Sequence, residues 1–256
     1  MIRRAAVISK LALAAAGGSF LSFGLYQAAH AEEPVAAAAA PLADRGARLN
    51  IAPLRLELDA TKTGVTVMLT NTSARPLPVQ TRLFAWSQDA GEDRYAPSTA
   101  LTVSPSIISI APGATQIVRV LRTSPASPGE KRFRLAVDQL PDPSLATSGE
   151  AEARLRFTVP VFLDRDKAEP AVLAWRITGN RLELANTGGR TTRVLGLVVK
   201  NAAGAVVQLE RNSLRYVLGQ STIAWSLVNG CPTGPVTISA QIDGQSANAT
   251  VTPTCG

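Results

Sequence analysis

Histidine is almost missing from this chain: the one copy, His30, sits inside an N-terminal stretch that reads as a removable export signal. Without imidazole the rest of the chain lacks the commonest general base and the commonest nitrogen ligand for a metal. Cysteine is scarce too, with only Cys231 and Cys255, both in the last tenth of the sequence. No further thiols or histidines are there to complete a tetrahedral set, so these two point to one disulfide in an oxidising compartment rather than to a metal site. There is no Gly-x-Ser-x-Gly, no glycine-rich phosphate loop and no cluster of metal-ligating residues, and neither an enzyme nor a bound cofactor is expected. Aromatic residues make up 5% of the chain, which gives little sign of a sugar-binding cleft and argues against a two-carboxylate hydrolase. Beyond residue 31 no run approaches the roughly 18 to 20 apolar residues that span a bilayer. Nor is there a Lys/Arg-rich run interleaved with aromatics. The mature chain is therefore expected neither to insert in a membrane nor to bind nucleic acid.

What is present begins with the signal. Arg3, Arg4 and Lys10 give a positive start, Leu11 to Leu25 is largely apolar, and Ala29-His30-Ala31 offers a small-x-small cleavage site before Glu32. Cleavage there removes 31 of the 256 residues and leaves 225, enough for one large or two ordinary domains. Three of the 26 basic residues and none of the 19 acids leave with the signal, taking the net charge from +7 to +4. Residues 32–47, mostly alanine, proline and charge, read as an arm without enough bulky apolar groups to pack.

From Leu49 onward the texture becomes short alternating apolar runs cut by Pro, Gly, Asn and Ser every 8 to 14 positions. That spacing predicts an all-β chain of antiparallel sandwiches. The first set of strand candidates is Leu49–Leu58, Gly64–Asn71, Leu77–Ser87, Ile107–Ile110, Thr115–Arg122, Lys131–Leu140 and Ala153–Leu163. After Asp164-Arg165-Asp166-Lys167 a second set follows: Ala171–Ile177, Arg181–Asn186, Thr192–Lys200, Val206–Leu209, Ser221–Leu227, Val236–Ile242 and Ala247–Thr252. The expected domains are thus 48–165 and 166–256.

Two segments stand out. In Ile51-Ala-Pro-Leu-Arg-Leu-Glu-Leu58, strand alternation puts Leu54, Leu56 and Leu58 on one face with Arg55 and Glu57 on the other, a pattern that a solvated sheet face explains. In Arg154-Leu-Arg-Phe-Thr-Val-Pro-Val-Phe162, Leu155, Phe157, Val159 and Val161 share one side. Pro160 cannot donate to a ladder and marks an edge or a strand end. An apolar edge strand is a template for another chain.

The run Val79-Gln-Thr-Arg-Leu-Phe-Ala-Trp-Ser-Gln88, then Gly91-Glu-Asp-Arg94, Ser104-Pro-Ser-Ile-Ile-Ser-Ile-Ala-Pro-Gly113 and Gln116-Ile-Val-Arg-Val-Leu-Arg122 resembles the periplasmic pilus-assembly chaperones of the chaperone-usher pathway. The similarity spans about Leu49 to Leu163, with weaker support from Leu182-Glu-Leu-Ala-Asn-Thr-Gly188. The resemblance implies two immunoglobulin-like β-sandwich domains set in a boomerang. It implies a pilus or fimbrial subunit bound along the first domain, capped by a lent strand and passed to an outer-membrane usher in the periplasm. By position the lending strand is Arg154 to Phe162, with Leu155, Phe157, Val159 and Val161 as the donor residues. The family anchors the subunit's terminal carboxylate with a basic pair, and Arg55 matches the arginine of the first strand. The usual second member, a lysine late in the lending strand, falls here at about Val159-Pro160. That departure fits the archaic, spore-coat-like branch better and leaves Arg119, Arg122 or Arg134 as candidates for the missing cation. The rival reading is an exported structural or adhesive sandwich, a pilus or surface component. Such a subunit should carry a large-apolar N-terminal donor segment, which Glu32 to Gly46 is not.

Overall fold

The computed structural model describes residues 48–141 and 154–255. The expected signal peptide (1–31), the arm (32–47) and residues 142–153 lie outside the described residues. Among the described residues all regular structure is β apart from one turn of 3-10 helix at Arg165–Lys167.

The first half opens with β1 (Leu49–Ala52) and β2 (Leu56–Leu58), which the sequence pattern joins into one strand. They are split at Pro53, which lacks the N–H needed to carry a ladder on. β1 pairs antiparallel with β3 (Gly64–Asn71), whereas β2 crosses to the other sheet and pairs parallel with β10 (Arg156–Leu163), Leu56 opposite Val161. Leu56 and Leu58 are fully buried, but Leu54, expected on their face, is 70% exposed because it lies in the crossing segment. Between these come β4 (Leu77–Asp89), β5 (Glu92–Pro97), β6 (Leu101–Ser104), β7 (Ile107–Ile110), β8 (Thr115–Arg122) and β9 (Lys131–Gln139). One sheet runs β1-β3-β8-β6; the other runs β2-β10-β9-β4-β5, with β7 also beside β4. Alternate residues of both sheets, among them Val67, Leu69, Val118, Val120, Leu135 and Val137, fill the space between them.

The second half repeats the plan. β11 (Leu173–Thr178), β12 (Arg181–Asn186) and β15 (Ser221–Ser226) form one sheet, in the order β11-β12-β15. β13 (Thr192–Lys200), β14 (Arg215–Val217), β16 (Val236–Ile242) and β17 (Gln245–Val251) form the other, in the order β14-β13-β16-β17. Val206–Leu209, expected as a strand, makes only isolated bridges, to Lys200 and Leu227. Ile177, Leu182, Leu184, Ile223 and Trp225 pack against Val194, Val199, Val236 and Ile238 in its core.

Both halves carry the same corner. In Asn71-Thr-Ser-Ala-Arg75 and Asn186-Thr-Gly-Gly-Arg190 the buried asparagine donates from Nδ2 to the arginine carbonyl four residues on, at 2.7 Å in each. Its Oδ1 accepts the N–H of Ser73 or Gly188 two residues on. The side chain thus satisfies the backbone where a strand ends and the chain turns. At the far end Cys231 and Cys255 form a disulfide. It closes a loop holding β16 and β17 and stabilises by about 3 kcal/mol on the chain-entropy model.

Candidate functional site

β10 is the strand to which the sequence points, and its two edges differ. On one side it pairs with β9 along its whole length, Arg156 opposite Asp138 through Leu163 opposite Lys131. On the other, β2 covers only Val161–Leu163. Over Arg156–Pro160 the outer edge has no strand partner among the described residues. Gln139 N–H donates to the Leu155 carbonyl at 2.9 Å, so Leu155 and, by alternation, Phe157 and Val159 turn their backbone groups to β9. Arg156, Thr158 and Pro160 then turn theirs to the open edge. Pro160 therefore costs the β9 ladder nothing, and its missing N–H falls on the open side.

The donor candidates fall into two pairs. Val159 and Val161 are 2% and 0% exposed and belong to the protein's own core. Leu155 and Phe157 are half-buried, with Phe157 packed on the rim of that core. A sandwich with one edge open leaves its peripheral apolar side chains partly wet, and Leu155 and Phe157 retain surface to bury against something else.

Beyond the free edge lies a cleft of about 950 Å³, lined from the first half by Pro53, Leu54, Arg55, Arg134, Thr158 and Pro160, and from the second by residues including Arg193, Leu214 and Tyr216. Arg55, just before β2, lies over the Phe162 ring, with its guanidinium carbon 4.8 Å from the centroid. Its Nη2 meets Glu57 at 2.5 Å, and Asp243 is 3.7 Å from Nη1. Arg134 stands on β9 directly opposite Pro160. Its guanidinium carbon is 3.7 Å from the centroid of Trp86 and 5.2 Å from that of Tyr216. Arg134 is buried, Asp93 stands 3.7 Å from its Nη2, and Nε has no hydrogen-bond partner among the described residues. The ring faces favour both cations electrostatically, and burial raises the cost of Arg134's unsatisfied donor.

The other two cations named from the sequence lie elsewhere. Arg122 is tied to Asp164 by Nη1 and Nη2 at 3.0 and 2.8 Å. Arg119 is exposed on β8, in the sheet that does not contain β10. Neither lines the cleft.

Sequence reasoning missed the groups that join the halves around this cleft. Glu130, fully enclosed, accepts from Arg132 Nε at 3.1 Å and closely from Arg165, and from the Thr191 N–H at 2.9 Å and its hydroxyl. Gln88 on β4 donates to the Tyr216 carbonyl at 2.8 Å and accepts from the Leu218 N–H at 3.0 Å, as an added strand would. Trp86 and Phe162 pack with Tyr216 and Leu218. Arg215 reaches back from β14 to the Gly91 carbonyl at 2.7 Å. Nothing in local periodicity marks these residues, because each gains its role from a partner in the other half, far along the chain.

Residues 48–166 match the family model for pili and flagellar-assembly chaperones, PapD N-terminal domain. No curated protein matches the chain. Among solved structures, the chain is similar to one in the CsuC–CsuE chaperone–tip adhesion subunit pre-assembly complex of the archaic Csu pili of Acinetobacter baumannii. That match has 21% identity and a TM-score of 0.62, over 81% of this chain and 99% of the other. It is similar to the E. coli chaperone DraB, with 19% identity and a TM-score of 0.56, over 80% and 98%. A chain in the Salmonella enterica SafA pilin–SafB chaperone complex matches with 18% identity and a TM-score of 0.57, over 81% and 97%. At these identities the likeness is one of fold. The fold is the paired immunoglobulin-like sandwich seen in these chaperones, and residues 48–166 match the model of the pilus- and flagellar-assembly chaperones' N-terminal domain.

Proposed function

We propose that this protein is a periplasmic, non-enzymatic chaperone that caps a pilus or fimbrial subunit by lending it the free edge of β10, then hands it to an outer-membrane usher. The observation that carries the reading is Arg134: a buried guanidinium with an unsatisfied Nε, in the same cleft as Arg55, at the end of an unpaired strand edge. A carboxylate supplies what that group lacks, and a planar guanidinium grips it through charge-assisted bonds that a lysine cannot reproduce in the same geometry. Strand addition to an exposed edge, of which chaperone–pilin donor-strand complementation is a known case, gives affinity through the main chain and specificity through alternate side chains. A subunit strand whose C-terminal carboxylate sits in the cleft, at the Pro160 end of the free edge, runs parallel to β10. Leu155 and Phe157 are then the side chains lent most fully, each offering about 1.5 to 3 kcal/mol before ordering costs. Val159 and Val161 continue the apolar row inside the chaperone. SafB and the chaperone of the Csu complex are both described in complex with a subunit, which supports the same class of partner here.

The test is periplasmic co-expression with the candidate subunits. The wild-type chain is expected to co-purify with a small β-rich protein. Arg55→Ala and Arg134→Ala should each lower its recovery by more than about tenfold, as truncating one side of a buried charge pair does. Recovery at the wild-type level with both variants would remove the carboxylate anchor from this reading.

A further inference from the structure

The outer face of the larger sheet holds a charge cluster that the anchor does not use. Asp138, buried on β9, faces Arg156 directly across the ladder and contacts its Nε closely. Its other oxygen accepts from Arg82 on β4, at 2.6 Å from Nη2 and 3.2 Å from Nε. Two guanidiniums thus share one carboxylate, and among the described residues the cluster holds two positive charges against one negative. Burial pushes the Asp138 carboxyl up, but the two arginines more than offset this and hold it below the usual range, so the charge count stands at neutral pH.

The location gives the cluster its meaning. Arg156 is the first residue of the free edge, and its side chain is 65% exposed, against 42% for Arg82. It projects on the face opposite Phe157. A strand laid against β10 would put one of its own outward side chains beside Arg156, where opposite charges attract and like charges repel. We propose that Arg156, braced by Asp138, is a specificity residue that selects subunits bearing an aspartate or glutamate on the strand paired with β10. This rests on the parallel strand addition argued above. With the terminal carboxylate beside Pro160, the selected acid lies roughly four residues upstream of the subunit's C-terminus.

Synthetic peptides that end in a free carboxylate, alternate apolar and polar residues, and carry Asp, Asn or Lys at that position test this by calorimetric titration of the full chain. Wild type should bind the Asp peptide about five- to tenfold more tightly than the Lys peptide, the spread between an attractive and a repulsive cross-strand pair. Arg156→Glu should invert the order, and Arg156→Lys should keep it. Arg55→Ala should weaken all three peptides together and leave their ranking intact, which separates loss of the anchor from loss of the selectivity. Equal affinity of wild type for the three peptides, or an unchanged ranking in Arg156→Glu, overturns the proposal.

Discussion

Arg122 and Asp164 show how a buried ion pair is made tolerable. Asp164 has lost all contact with solvent, yet its carboxylate takes two guanidinium nitrogens and the Ser127 N–H, while Arg122 also donates to the Asp59 carbonyl. Burial alone would raise the Asp164 carboxyl; the Arg122 pair and the Ser127 N–H outweigh it and hold the group below its ordinary value. A depressed carboxyl stabilises the fold fully above the unfolded aspartate value of about 3.9 and loses that contribution as pH falls through the lower folded value. Arg122→Ala reverses the sign, because burial then dominates and the folded state takes up the proton first. The variant should lose about 3–5 kcal/mol at pH 7, where the carboxylate is left buried and unpaired. That deficit should shrink as pH drops toward 4. Urea denaturation of both proteins across this range measures it, and a deficit independent of pH would contradict the argument.

In the proposed function β10 does two jobs, and the division falls between Phe157, half-buried, and Val159, in the core. Phe157→Asp places a charge on a half-buried rim position, so the free protein should keep most of its stability while losing subunit capture. Val161→Asp puts the same charge in the protein's own core and should unfold it, with no partner for the carboxylate within reach. Thermal melts and co-purification run on both variants separate the roles; capture unaffected by Phe157→Asp would mean that another edge is lent. The same contrast explains what the sequence disclosed. β3, β8, β12 and β16 were readable to the residue because one face of each is buried and alternation survives, and β13 was readable despite a break in alternation at Leu195-Gly196. β5 was not, because every residue from Glu92 to Pro97 is exposed and no burial pattern is written into it. β14 is only three residues long, and Leu49–Leu58 hid a change of sheet at Pro53. The paired Asn-Thr-x-x-Arg corners went unread, because the hydrogen bonds that make them equivalent belong to the fold. Arg55 was accessible only through family resemblance, and choosing Arg134 over Arg119 and Arg122 required knowing which side chains share a cleft, which depends on strand order rather than on spacing.

At the scale of the whole molecule, the cleft exists only while the two sandwiches hold one another. Among the described residues they share no strand, and the apolar contact between them is small: Trp86 and Phe162 against Tyr216 and Leu218. What adds rigidity is polar and enclosed. Glu130 gathers Arg132 and Arg165 of the first sandwich and both donors of Thr191 of the second, and Arg132 also reaches the Gly189 carbonyl at 2.8 Å. Close approach is required there: a Cβ on Gly219 would stand 2.6 Å from Arg132 Nη2 and 2.1 Å from the Gly189 carbonyl oxygen that Arg132 holds. Removing the glutamate takes the close anion from Arg132 and Arg165, leaves Arg165 with Glu57 and Asp243 at 3.7 Å, and orphans the Thr191 N–H, a change worth about 3–5 kcal/mol. The loss falls on the junction rather than on either core. Glu130→Ala should therefore split the calorimetric unfolding of the wild type into two transitions, while leaving each sandwich folded. Glu130→Gln keeps an acceptor for Thr191 but not the charge and should fall between. Because Arg55 and Arg134 face a wall contributed by the second sandwich, Glu130→Ala should also weaken subunit capture without touching either proposed anchor. A single transition merely shifted to lower temperature would mean that the aromatic contact and the Gln88 clamp suffice to couple the halves.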